Sequence, residues 1–192
     1  MKHITKIPTV WYCSSIVLFL LFAKPLTAEQ VYVCVWRNPE RTMSRLFPDA
    51  RDYRTVALPL SAEKRDRIEE RTGEEILPGQ REEYQYYEML NRDGVVIGYT
   101  QAVTQRGEFG AIEFVFGMDT THTINTIYIQ RARERDRTFR QDEFLETFVG
   151  LGIEGIDTLE DPAGEDATIA TTGVTVGVRK ALVSFEELVL AD

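Results

Sequence analysis

Side chains that ligate metals or act as nucleophiles are scarce in this chain, which has two cysteines, Cys13 and Cys34, and two histidines, His3 and His122. No pair of cysteines or histidines stands at metal-ligand spacing. A histidine-based triad outside the N-terminal segment would have to use His122 alone, and its setting in Asp119-Thr-Thr-His122 is more simply that of an exposed turn residue. There is no phosphate-loop glycine-lysine motif and no glycine-rich dinucleotide turn after a strand. Internal repeats, heptad arrays and low-complexity linkers are missing too. Carboxylates abound, but pairs such as Glu69-Glu70, Glu74-Glu75 and Glu82-Glu83 read as solvated surface. A conventional hydrolase is poorly supported.

Basic charge is also in deficit. Lysine and arginine number 22 against 31 acids, a net charge of −9, which makes nucleic acid a poor partner because its affinity is carried by cations against phosphate. With 192 residues and 43% apolar side chains, the chain can bury one good core and has little left for a second.

The first residues differ in character from the rest. Lys2 and Lys6 precede an apolar stretch from Val10 to Ala23, and Leu26-Thr27-Ala28 supplies small residues before Glu29. This pattern predicts a secretory signal peptide over residues 1–28. The alternative is a retained anchor, but an apolar helix from Val10 to Ala23 reaches only about 21 Å, short of the ~30 Å hydrocarbon core. Removal would leave Cys34 without a partner for an intramolecular disulfide, and Cys34 lies too far beyond Ala28 to be a lipid-modified first residue.

Beyond residue 28 the sequence predicts an α+β domain in two parts. Residues 29–80 read as a helical segment, with helix-favouring charge from Arg41 to Ala50 and from Ser61 to Thr72, a capped start at Ser61 and a stop at Gly73. Residues 81–192 open with four aromatic or β-branched runs, Tyr84 to Leu90, Val95 to Val103, Ala111 to Met118 and Ile124 to Ile129, separated by turn sequences. They predict a four-stranded, mainly antiparallel meander. A short helix follows over Gln141 to Val149, with Phe144, Leu145 and Phe148 on one side. The apolar spacing of Val174, Val178, Ala181, Phe185 and Leu188 then predicts a terminal helix with one buried face. Val174-Thr-Val-Gly-Val178 alone would suit a strand, but the helical spacing persists through Phe185.

Two segments carry candidate chemistry. Arg131, Arg133, Arg135 and Arg137 alternate, so an extended chain would project their guanidiniums together, either to hold a phosphate or acidic partner or to form a charged edge that discourages aggregation. Gly164 to Gly177 leads into the terminal helix, whose free N–H groups and dipole favour a phosphate. Gly173 and Gly177 would let another group approach one face closely. A plain capped helix is the simpler reading of the same residues.

Several segments together resemble the bacterial FMN-binding domains, such as the flavin-carrying subunits of sodium-pumping NADH:quinone reductases and of the Rnf electron-transport complexes, and most of all the small stand-alone exported members. Ser61 to Glu70 resembles their leading helix; Gly98-Tyr99, Ile112-Glu-Phe-Val-Phe-Gly-Met-Asp119 and Phe144-Leu-Glu-Thr-Phe148 follow in the family's order and spacing. The family's Ser/Thr-Gly-Ala-Thr motif, whose threonine is esterified to FMN by a separate flavin transferase, falls on Glu165-Asp166-Ala167-Thr168.

The resemblance implies a flavin site of Thr168, Ala167, Thr171, Thr172 and Gly173, with Glu134, Arg133 and Arg135 in place of the family's glutamate-and-threonine loop. It implies an exported electron carrier rather than a self-sufficient enzyme, periplasmic or on the outer face of the cytoplasmic membrane. Its partners would be redox proteins or a membrane electron-transport complex, and a flavin transferase. The departure at Glu165-Asp166 places two carboxylates by the phosphate, each repelling it by about 1 kcal/mol in water-like and 3 kcal/mol in protein-like surroundings. A flavin-free family member serving as an exported binding or assembly module is therefore the alternative.

The N-terminal reading leads to one expected outcome: the exported protein begins at Glu29. N-terminal sequencing or intact mass checks it, and a mature chain that retains Val10 to Ala23 would identify an anchor.

Overall fold

The computed structural model describes residues 39–191, which belong to one compact unit. The signal-peptide segment, Cys13 and Cys34 lie outside the described residues. A short helix, α1 (Pro39–Leu46), leads into strand β1 (Asp52–Pro59), and helix α2 (Ala62–Thr72) returns the chain to a long meander. The meander comprises β2 (Glu83–Leu90), β3 (Val96–Arg106), β4 (Ala111–Met118) and β5 (Ile124–Arg131). Helix α3 (Asp142–Glu146) and a series of 3-10 turns lead to the long α4 (Ile169–Phe185), which ends in a π-helical turn at Glu186–Leu190. Among the described residues no helix is long and apolar enough to cross a membrane.

The fold is α+β, with a sheet of five antiparallel strands in the order β1-β2-β3-β4-β5. The sequence predicts four. The additional strand, β1, pairs with β2 along its whole length, from Asp52 opposite Leu90 to Pro59 opposite Glu83, and so joins the segment 29–80 to the same sheet. It escapes sequence reasoning because it is an edge strand with half-exposed faces. Its apolar side chains are diluted by Arg54 and Thr55, and it closes on a proline that only an edge tolerates.

Elsewhere the local chemistry acts as its sequence suggests. The Ser61 hydroxyl accepts the Lys64 N–H to start α2, and Gly73 ends it at φ 69°. Asn91 accepts the N–H groups of Asp93 and Val95 to close the β2–β3 turn. The Asp119 carboxylate gathers the N–H groups of Thr121 and Thr123 and so bends β4 into β5. Inside this turn His122 adopts φ 63°. Its ring lies 5.5 Å from that of Tyr99 and 5.4 Å from that of Phe185, which makes it a half-buried member of an aromatic cluster.

The sheet has two covered faces. On one, α4 lays Val174, Val178, Leu182 and Phe185 over Ile112, Phe114 and Phe116, all of them fully buried. On the other, Phe47 after α1 joins Tyr87, Met89 and Val115. Both faces depend on glycine. A methyl at Gly177 would lie 2.9 Å from Phe114 Cζ, and one at Gly173 would lie 3.2 Å from the Arg106 carbonyl oxygen. Across the sheet, a methyl at Gly117 would lie 2.8 Å from Phe47 Cε2, and one at Gly98 would meet the same ring. The close approach that Gly173 and Gly177 permit is thus made by the protein's own sheet.

Substituting Gly177 by alanine sets about 1–3 kcal/mol of overpacking against about 1 kcal/mol of improved helix propensity. The expected result is a net loss of up to roughly 2 kcal/mol in urea unfolding. Combining it with Phe114→Leu should recover more than about 0.5 kcal/mol in a double-mutant cycle.

Candidate functional site

Because Gly177 rests on Val103 and Gly173 on Arg106, α4 runs antiparallel to β3 and starts above the hairpin between β3 and β4. The chain after β5 passes the same place. Glu134, buried in that passage, accepts the N–H groups of Glu108 and Phe109 at 3.1 Å each, so its carboxylate holds the hairpin tip. A methyl at Gly107 would collide with this carboxylate, which accounts for the glycine.

Two residues further on, Asp136 reaches the residue that caps the helix. Thr168 is the N-cap of α4: its hydroxyl accepts the Thr171 N–H, and the Thr171 hydroxyl accepts the Thr168 N–H at 2.8 Å, a reciprocal capping box. The Thr168 hydroxyl donates its proton to Asp136 Oδ2 at 2.8 Å. Burial pushes the Asp136 carboxyl up, but it is outweighed by hydrogen bonds from the Thr138 N–H, the Thr168 and Thr138 hydroxyls and the Arg137 N–H, which together hold it below its ordinary value. Asp136 therefore stays ionised against the Thr168 hydroxyl.

A second carboxylate, Asp161, comes from the loop before the helix. Its Oδ2 accepts the hydroxyls of Thr171 at 3.1 Å and Thr172 at 2.9 Å, while Oδ1 accepts the Ala163 N–H. The anion favoured at a helix N-terminus, worth about 0.3–1 kcal/mol through the dipole, is here supplied by the protein itself.

Of the site residues expected from sequence, Thr168, Thr171 and Thr172 come together, with Ala167 exposed beside them. Gly173 is buried against β3 one turn along. Glu134 is engaged beneath the hairpin. Arg133 and Arg135 are exposed in the irregular passage after β5, and the Arg135 guanidinium lies 4.7 Å from the centre of the Phe109 ring. Arg131 pairs with Glu113 at 3.6 Å, so the arginines do not act as one strip. Glu165 and Asp166 occupy an exposed 3-10 turn, Gly164–Asp166, where water screens them.

Sequence reasoning missed Asp136 and Asp161 as partners of the threonines, and also two apolar side chains at this end of the molecule. Phe109 on the hairpin is 38% exposed and Ile169, the first residue of α4, is 58% exposed. Asp161 had one usable signal, as the first residue of Asp161-Pro-Ala-Gly164, a turn sequence placed just before a helix. Among the described residues no group of three histidine, cysteine or acidic side chains is arranged to hold a metal. No protein-family model matches the chain, and no curated protein sequence matches it.

Asp136→Asn removes a charge-assisted acceptor, and a loss of about 1–2 kcal/mol is expected at neutral pH. A carboxyl held below its ordinary value stabilises the fold above its unfolded pKa of about 4 and loses that contribution as pH falls through the folded value. Thermal unfolding followed by circular dichroism should therefore show the native chain weakening below about pH 4, with a shallower acid limb for Asp136→Asn.

Proposed function

We propose that this chain is an exported flavoprotein of the FMN-binding type, in which Thr168 carries the flavin and electrons pass between redox partners in the periplasm or at the outer face of the cytoplasmic membrane. The observation that carries the reading is the Thr168 hydroxyl itself, placed at the N-cap of α4 and hydrogen-bonded at 2.8 Å to an ionised Asp136. A hydroxyl so placed has an acceptor ready for its proton when its oxygen becomes esterified. Bound FMN would supply the electron chemistry. The chain contributes attachment, an apolar rim at Phe109 and Ile169, and the exposed cations Arg133 and Arg135.

The same geometry argues for a permanent bond over reversible phosphate binding. A phosphate joined to Thr168 would stand about 4 Å from Asp136, a repulsion of roughly 1 kcal/mol in water and 4 kcal/mol in protein-like surroundings. An ester persists without affinity, so this cost falls on its formation. Asp161 also supports a second reading, a flavin-free exported binding or assembly module of the same fold, because it already satisfies the hydroxyls of Thr171 and Thr172.

Co-expression with a flavin transferase separates the two readings. On a denaturing gel under ultraviolet light, the native chain should fluoresce and Thr168→Ala should stay dark, with peptide mass locating the adduct on residue 168. Fluorescence only after Glu165→Ser and Asp166→Gly would mean that the covalent branch has been left. A dark band from both chains, with no FMN co-purifying, would overturn the flavin reading in favour of the binding module.

A further inference from the structure

The two edges of the sheet are finished differently. β1 carries Asp52 and Arg54 and closes on Pro59, devices that discourage further pairing. β5 reads Ile124-Asn-Thr-Ile-Tyr-Ile-Gln-Arg131, with no proline and no charge before its last residue. At its start the chain supplies its own neighbour. The Ile124 N–H donates to the Leu151 carbonyl at 2.9 Å, the Gly150 N–H donates to the Ile124 carbonyl at 2.8 Å, and Thr123 forms an antiparallel bridge with Gly152. Further along, residues 126–129 keep regular register with β4, from Thr126 opposite Gly117 to Ile129 opposite Phe114, between two slips. Among the described residues no strand flanks their outer side.

A cavity of about 310 Å³ runs along this stretch. It touches residues 126–129 in succession although their side chains alternate between the two faces, so it follows the edge of the strand. One wall, on the face of Ile127 and Ile129, is α3, which presents the buried Leu145 and also Val149, 45% exposed. The other, on the face of Tyr128, is Arg45 of α1, whose guanidinium lies 4.0 Å from the centre of the Tyr128 ring. Stacking engages the flat of a guanidinium and leaves its N–H groups in the plane for an acceptor. Arg45 forms no ion pair among the described residues, whereas Arg140, in the same lining, is engaged with the Ala132 carbonyl at 2.8 Å.

We propose that β5 accepts an extended segment of another protein as a sixth strand, continuing the lane that residues 150–152 begin. Main-chain pairing supplies the affinity in such strand addition, and the walls select the side chains. Residues of the incoming strand alternate between the faces, so those on one side meet Arg45 and those on the other meet Leu145 and Val149. The segment that fits carries acids toward Arg45 and apolar side chains toward α3. Acids on the α3 side are disfavoured by Asp142 and Glu146, exposed in that wall. A second copy presenting its own β5 fits less well, because that strand brings an arginine and no acid. The inference does not depend on what Thr168 carries.

The probe is acetyl-Thr-Val-Glu-Val-Glu-Val-Thr-amide, compared with the same peptide carrying glutamine for glutamate and with one N-methylated at every valine and glutamate. Titrated at millimolar concentration into the full-length, isotopically labelled chain, the acidic peptide should shift the amide resonances of Thr126, Ile127, Tyr128 and Ile129 and slow hydrogen exchange at alternate ones. The glutamine peptide should bind about fivefold more weakly, the scale of one exposed ion pair, and the N-methylated peptide should not bind. Arg45→Gln should bring the acidic peptide down to the level of the glutamine one. The proposal is overturned if none of these resonances shifts, if the N-methylated peptide binds as well as its parent, or if the native chain binds the acidic and glutamine peptides equally. Slow exchange at residues 126–129 in the chain alone would overturn it too: concentration-dependent protection would assign the edge to a second copy, and concentration-independent protection to the chain's own residues. The comparisons on the native chain stand even if the substituted protein fails to fold.

Discussion

The architecture hangs on how closely α4 lies upon β3 and β4. Gly173 and Gly177 bring the helix backbone down onto the Arg106 carbonyl and the Phe114 ring, so closely that a methyl at 177 would overlap the ring and one at 173 would press on the carbonyl. That contact fixes both the height and the register of the helix. Once Gly177 is seated on Phe114, Val174, Val178, Leu182 and Phe185 have one way to interlock with the sheet. The helix start is then committed to the hairpin end of the molecule, within reach of the passage that carries Glu134 and Asp136.

The electrostatics of that end follow from the same placement. A helix N-terminus presents N–H groups and partial positive charge, and an external anion commonly answers them. Here the answer comes from within, by Asp161 and by the capping threonines that Asp136 and Asp161 hold. Such a terminus gains rigidity and gives up attraction for phosphate, so a ligand there must be kept by a bond or by its apolar part. The carboxylates that matter are those hydrogen-bonded to the threonines. Glu165 and Asp166, more conspicuous in sequence, are exposed.

How much of this was legible beforehand depended on whether a feature is local. β2 to β5 announce themselves by runs of aromatic and β-branched residues between turn sequences, and α4 by apolar spacing that outweighs its valines and glycines. Caps at Ser61, Gly73 and Thr168 are chemistry within a few residues. β1 failed the same test because an edge strand shares its burial with solvent and shows weak alternation. In the site, the threonines could be grouped by proximity along the chain. The bond from Thr168 to Asp136 spans 32 residues, and the purpose of Gly173 and Gly177 became visible only with Phe114 and Arg106 beneath them.

The opposite face of the sheet carries a quieter version of the same device. The Phe47 ring stands over Gly98 of β3 and Gly117 of β4, filling the space that two side chains would otherwise take. Three positions far apart in sequence thus share one volume. The two glycines are not equally free to change: an alanine at 117 asks the Phe47 ring and the Asn125 side chain to give way, whereas one at 98 would also meet the Met118 carbonyl oxygen at 2.5 Å, which no change at residue 47 relieves. Covariation between 47 and 117 beside an unchanging glycine at 98 would be the historical trace of a steric exchange on one strand and a backbone constraint on the next.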